Sequence, residues 1–221
     1  LIFDNCFVTW ERVFLAGENL LGGAMALLFA LFHRHSYSGC KPAIGDIILG
    51  VAALAAEANN IHKAEHVREK LAELIMTTEL GYAAGYTASD LGKPELYIPG
   101  YGFVPFGPGS YIPHSIYCNV GRCLTGEAVW REAEIICDIA GGVPATFPHE
   151  KDFLNPDVGP SLLKYTKRSP KMSAEDQAQL WRLIGDSLCS ASGGIAKVGG
   201  YHGGGSPIME QIAITTQYDI E

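Results

Sequence analysis

Charge is what this sequence has least of. Only 18% of its 221 residues are Asp, Glu, Lys or Arg, and together they leave a net charge of −8. Binding a polyphosphate backbone needs a basic stripe. The one local basic cluster, His62-Lys63 to His66-Val67-Arg68, is interrupted by Glu65 and Glu69, so nucleic acid is excluded as a partner. Paired cysteines are also missing. Cys6, Cys40, Cys118, Cys123, Cys137 and Cys189 form no C-x-x-C and keep no regular spacing. That argues against a disulfide framework and for reduced thiols in a cytoplasmic setting. The longest apolar runs, 20–32 and 47–56, fall short of the roughly 18–20 residues of a membrane span, so no membrane partner is expected. No basic segment precedes an apolar run at the start, as a signal peptide requires. The glycines of 199–205 follow no strand of a βαβ unit, which excludes a dinucleotide fingerprint.

What is present is apolar: 48% of the chain, enough for a sizeable core. Low charge also suggests surface hidden by oligomerisation. The chain opens on Leu1, and a fragment of a longer protein is the simplest reading. Residues 1–8 read as a strand. A first helix is expected over about 17–35, apolar almost all round as a central helix would be. Gly39-Cys40-Lys41-Pro42 then breaks the pattern, with Pro42 suited to the first turn of a second helix over about 43–61. A third helix is expected over 63–91 from the spacing of Val67, Leu71, Leu74 and Ile75. A long loop follows over 92–113, with a short hairpin near 96–104. A fourth helix covers about 115–140 and stops at Gly141-Gly142. After an irregular stretch, 143–163, a fifth helix covers about 174–190 behind Ser173 as N-cap. Gly193-Gly194 and 199–205 read as turns, and a last helix starts near Ser206-Pro207. The expected fold class is all-α, a helical bundle with a β-strand remnant at the start. The expected division is 1–14, the end of a preceding β-domain and linker, and 15–221, the bundle.

One segment carries chemistry: His33-Arg34-His35-Ser36-Tyr37-Ser38-Gly39-Cys40-Lys41. His33 and Tyr37 stand four apart and share a helix face. Cys40 lies a turn further on, so an imidazole nitrogen and a thiolate can converge on a metal. Lys41 beside it would lower the thiol pKa or bind an anionic group. Spacing alone leaves the plainer reading open, a small buried thiol and a helix-end histidine.

The run Phe3-Asp4-Asn5-Cys6-Phe7-Val8-Thr9-Trp10-Glu11-Arg12-Val13-Phe14 resembles a segment of the 4-hydroxyphenylacetate 3-hydroxylase superfamily, which has the acyl-CoA dehydrogenase-like fold. His33-Arg34 to Lys41 is similar to the H-R-x-S-Y-x-G-C-K stretch of its 4-hydroxybutyryl-CoA dehydratase branch, which also isomerises vinylacetyl-CoA. Gly141-Gly142 to Asp152 and His202 to Pro207 fit as well. The resemblance covers essentially the whole chain and implies a flavin-dependent lyase with isomerase activity, acting on an acyl-CoA. It implies FAD and a 4Fe–4S cluster, with His33 and Cys40 as two of the four ligands and the other two cysteines outside this chain. It further implies His33 as base, Tyr37 as hydrogen-bond or proton donor, and Lys41 at a polar substrate group. The cluster would act as Lewis acid on the departing hydroxyl. Gly141, Gly142, Glu150 and Lys151 are implied flavin contacts across a subunit boundary of a homotetramer.

Cys118 and Cys123 read as structural, since their spacing and segment differ from the family's ligand pair. The chain departs from the family at Val8-Thr9-Trp10, which lacks a proline. It also departs at His35, a second imidazole near the site, and at Gly199-Gly200, where a carboxylate is expected. The runner-up is a flavin-dependent aromatic monooxygenase of the same superfamily, which needs no cluster. A non-catalytic helical scaffold is the third reading.

Overall fold

Three long helices and a set of shorter ones build the bundle. The computed structural model describes residues 1–218; the last three positions of the expected bundle domain lie outside the described residues. The long helices are α1 (Asn19–Ala58), α2 (Glu65–Asp90) and α3 (Ser115–Ala140). A two-stranded antiparallel hairpin, β1 (Glu95–Ile98) with β2 (Gly102–Pro105), rises from the loop between α2 and α3. Then come α4 (Val143–Thr146), α5 (Glu150–Leu154), α6 (Gly159–Tyr165), α7 (Ala174–Cys189), α8 (Ala191–His202) and α9 (Pro207–Thr215). Residues 1–18 hold no strand; a single 3-10 turn at Trp10–Arg12 is their only regular element.

The predicted break at Gly39–Pro42 does not occur: α1 runs unbroken through Pro42 for 40 residues. An internal proline removes one helical hydrogen bond and costs about 3 kcal/mol, so packing must outweigh it. Small residues supply that packing. Gly45 meets the side chain of Thr78, Gly85 meets Ser38, and Gly81 faces Thr125 and Pro42. Gly121 meets Ala84 and the Ser38 hydroxyl. A Cβ at these glycines would collide with the neighbouring helix, so all three backbones approach closely where α1, α2 and α3 cross. By length and composition α1 is also long and apolar enough to cross a membrane; its packed face, however, carries the buried Arg34 and Lys41.

The apolar core lies toward the C-terminal half of α1. Ala52, Ala55 and Ala56 pack there on Val67 and Leu74 of α2, Ile135, Ile136 and Ile139 of α3, and Trp181 and Ile184 of α7. Ser173 caps α7 by accepting from the Asp176 amide at 3.0 Å. Gly193, Gly194, Gly199 and Gly200 are not turns, as their composition suggests, but lie inside α8. Gly193 packs on the Ser187 carbonyl and Gly200 against Val129 and the Tyr37 hydroxyl. Those glycines let the helix approach α3 and α7. The stretch expected to be irregular, 143–163, contains α4, α5 and most of α6.

Candidate functional site

Helical periodicity decides which side chains meet. On α3 one stripe reads Cys118, Arg122, Thr125, Val129, Glu132, Ile136 and Ile139, at steps of three and four. On α1 a facing stripe reads Arg34, Ser38, Lys41, Gly45, Ile48, Ala52 and Ala55. Apolar at one end, both stripes turn polar at the other. There Arg34, Lys41, Arg122 and Glu132 are all buried.

Lys41 forms an ion pair with Glu132, both buried. The sequence offers the Lys41 ammonium either the Cys40 thiol or an anionic group; the fold supplies a carboxylate from α3. Only one Glu132 oxygen is used. Oε2 is buried and has no hydrogen-bond partner. Beside the pair lies a cavity of about 480 Å³ between α1, α3, α7 and α8, lined mainly by apolar side chains with Tyr37, Lys41, Glu132 and Lys197 among them.

Tyr37 closes one end of this cavity. Its hydroxyl donates to the Gly200 carbonyl at 3.0 Å, and the Arg122 guanidinium sits 4.3 Å above its ring. Burial pushes the phenol up to about 12, opposed in part by Arg122. Tyr37 therefore stays protonated, a donor rather than a phenolate. Arg122 in turn holds the turn after α8. Its Nε donates to Gly203 O at 2.8 Å and its Nη2 to Tyr201 O at 2.9 Å. Arg34 donates to Gly204 O at 3.0 Å and to Asn119 Oδ1 at 2.7 Å. Glu210, at the start of α9, lies 3.6 Å from Arg122 Nε and 4.0 Å from Arg34 Nε. It is fully buried, and neither of its oxygens accepts a hydrogen bond. Desolvation raises its pKa, against the pull of Arg122 and then Arg34.

His33 and Cys40 are exposed. In an unbroken helix their seven-residue spacing returns them to one face, with a rise of about 10 Å between their α-carbons. The two donors are thus aligned along a face rather than brought to the point that a helix break would allow. The Cys40 thiol donates to the Tyr37 carbonyl at 3.7 Å. His35 points elsewhere: its Nε2 lies 2.9 Å from Ser89 Oγ and 3.3 Å from Gly85 O on α2. Among the described residues no group of three or more His, Cys, Asp or Glu side chains could hold a metal. Cys118 is buried, and burial pushes its thiol up to about 12.

The expected flavin contacts are separate from this cavity and from one another. Gly141, at φ +69, ends α3, and with Gly142 it lines a hollow beside Asn59 and Arg168. Glu150 lines a different hollow with Phe147, His149 and Arg182. Lys151 is exposed in the first turn of α5, its amide donating to His149 Nδ1 at 3.3 Å.

Arg34, Arg122, Glu132 and Glu210 were not singled out from the sequence. The signal was there for the first three: a charge recurring on the phase of a helix that otherwise buries small or apolar residues.

The sequence and the fold both have relatives. Residues 23–221 match the family model for the 4-hydroxyphenylacetate 3-hydroxylase C terminal. The chain is 32% identical, over its whole length, to the 4-hydroxybutyryl-CoA dehydratase/vinylacetyl-CoA-Δ-isomerase of Clostridium aminobutyricum, covering 44% of that protein. It is 33% identical, over 87% of its length, to the 4-hydroxyphenylacetate 3-monooxygenase oxygenase component of Thermus thermophilus, covering 38% of that one. An oxygen-tolerant archaeal 4-hydroxybutyryl-CoA dehydratase from N. maritimus superposes with a TM-score of 0.84 at 29% identity, over 97% of this chain and 40% of that one. The oxygenase component of 4-hydroxyphenylacetate 3-monooxygenase complexed with FAD and 4-hydroxyphenylacetate gives the same score and identity, over 99% and 44%. The chain therefore spans less than half the length of these relatives. With its helical bundle matched almost end to end, this chain belongs to the 4-hydroxyphenylacetate 3-hydroxylase C-terminal family.

Proposed function

We propose that this chain is the helical part of a 4-hydroxybutyryl-CoA dehydratase with vinylacetyl-CoA isomerase activity. The observation that carries the reading is the 32% identity across the whole chain to a protein of that activity. The presence of His33 and Cys40 on one exposed face of α1 supports it. Bound FAD would supply one-electron chemistry, and a bound 4Fe–4S cluster a Lewis acid for the leaving hydroxyl. His33 and Cys40 would hold two corners of that cluster.

The chain's own residues have defined tasks in this reading. His33 would serve as base for the α-proton of the acyl group when its imidazole nitrogen is not engaged by the cluster. Tyr37, whose hydroxyl donates to Gly200 O and could turn that proton to a substrate oxygen, is kept in place by Arg122. Lys41, neutralised by Glu132, adds a positive pole at the cavity wall without adding net charge. The apolar walls of α1, α3, α7 and α8 keep water away from the reacting carbons. Gly141, Gly142, Glu150 and Lys151 would contact flavin from a neighbouring subunit. The exposed Met25, Leu27, Phe29, Ile44 and Ile47 along α1 favour burial against other copies, as a homotetramer provides.

The test is anaerobic purification of the full-length protein. The dehydratase reading expects brown protein containing iron and sulfide that bleaches in air, and turnover of 4-hydroxybutyryl-CoA. Cys40→Ala should lower the iron content. A purely yellow, iron-free protein that hydroxylates a phenol with reduced flavin and oxygen would overturn it. That outcome is the aromatic monooxygenase reading, which the similarity to the Thermus oxygenase component favours.

A further inference from the structure

The turn after α8 sits on His33. Gly204 and Gly205 have φ of +86 and +115, so the chain reverses there in a conformation that glycine adopts without strain. A Cβ built on Gly204 would lie 3.5 Å from His33 Nδ1, 3.6 Å from Arg122 Nε and 3.6 Å from Arg34 Cγ. The turn therefore lies against the Nδ1 edge of the imidazole. His33 is otherwise exposed, and the ring 6.1 Å away along α1 is that of Phe29, itself 74% exposed. An exposed imidazole on a helix has several rotamers open to it; one backed by a turn has fewer.

Charge balance shows what holds the turn there. Arg34, Arg122 and Glu210 bring two buried positive charges and one buried negative charge together. Arg122 is the nearer to the Glu210 carboxylate, at 3.6 Å against 4.0 Å for Arg34. One guanidinium is enough to balance one carboxylate. Arg34 is surplus to that pair, and burying a surplus charge is costly. Its donors go to Asn119 Oδ1 at 2.7 Å and to Gly204 O at 3.0 Å. The second of these belongs to the residue that abuts His33.

We propose that Arg34 is a positioning residue for His33: through the Gly204 carbonyl it holds the turn on the imidazole and fixes the direction in which the ring points. The inference rests on the dehydratase reading only in taking His33 as the base.

The test uses the full-length protein. In Arg34→Met the Arg122–Glu210 pair stays balanced, and the turn loses its hold at Gly204. Turnover of 4-hydroxybutyryl-CoA should fall about 100-fold in kcat, the effect of displacing a reacting group by about 1 Å, with KM nearly unchanged. Arg34→Lys, which keeps a donor for Gly204 O, should recover most of the loss. Diethyl pyrocarbonate gives a reading that needs no turnover. Peptide mass spectrometry should find one more carbethoxyl group on His33 in Arg34→Met than in the unaltered protein, because the turn no longer shields Nδ1. Circular dichroism checks folding, and Arg34→Gln takes the place of Arg34→Met, with the same expectations, if the latter does not fold. An unchanged kcat in the folded variant overturns the proposal. So does a loss of kcat without the extra carbethoxyl group. If the unaltered protein does not turn over 4-hydroxybutyryl-CoA, the dehydratase reading fails and the carbethoxyl count decides alone: an extra group upholds the hold of Arg34 on His33, and equal counts overturn it.

Discussion

The two ends of the α1–α3 contact are built from the same helical stripes by opposite means. At one end Ala52, Ala55 and Ala56 meet Ile135, Ile136, Ile139 and Trp181, and dispersion and water exclusion hold the helices together. At the other, Arg34, Arg122 and Glu210 are equally dry but charged. Their burial is expensive, and what they obtain for it is order: the carbonyls of Tyr201, Gly203 and Gly204 are held by two guanidinium groups. The apolar end contributes stability, and the polar end fixes where the chain goes after α8 and how Tyr37 is oriented. The Lys41–Glu132 pair and its cavity lie between them.

Substitutions can separate these two roles. The largest effect is expected at the apolar end. Trp181→Ala empties the space of a fully buried ring and should cost about 3–5 kcal/mol in urea denaturation, leaving the turn after α8, 203–205, as resistant to proteolysis as before. At the polar end Arg122→Met should cost a comparable 3–5 kcal/mol, because it strands the Glu210 carboxylate. Here, however, the loss should be largely reversed by adding Glu210→Leu, and both variants should open the turn to protease. If the double variant is as unstable as the single one, the charge cluster is not what Arg122 serves.

A pH series sharpens the contrast. The folded-state pKa of Glu210 is raised above its ordinary value of 4.5, chiefly by burial. A raised carboxyl pKa favours the native state while the group is protonated, and that contribution fades as pH climbs from 4.5 through the folded value. Against Glu210→Gln, the unaltered protein should therefore lose relative stability as pH rises across that window. A flat difference would mean that the two arginines fully offset the desolvation. Smallest is the cap of α7: Ser173→Ala removes the bond to the Asp176 amide and should cost about 1 kcal/mol, with no change in the turn or at Tyr37.

Legibility in the sequence followed the range of the forces involved. The helix over 115–140, the Ser173 cap and the hairpin near 96–104 were all readable, because each is set by neighbours within a few residues. Errors fell where distant packing overrode local preference. Pro42 and the α8 glycines read as breaks, and both are absorbed into helices by close contacts with Thr125, Gly81, Val129 and Ser187. Residues 1–8 read as a strand, but no partner strand pairs with them among the described residues, and a lone strand leaves its backbone unpaired.

The candidate site divides in the same way. The sequence alone determined that His33 and Tyr37 share a helix face, since that depends only on 3.6 residues per turn; that Cys40 joins them was decided by packing, which carries α1 through Pro42. It also determined an all-α bundle, through the period of its apolar residues. Only the tertiary structure decided that the anionic group Lys41 meets is Glu132, that Arg122 stacks on Tyr37, and that Glu210 is buried beside two arginines. Those pairings join residues 80 to 180 positions apart, and no local pattern encodes which buried charge will meet which.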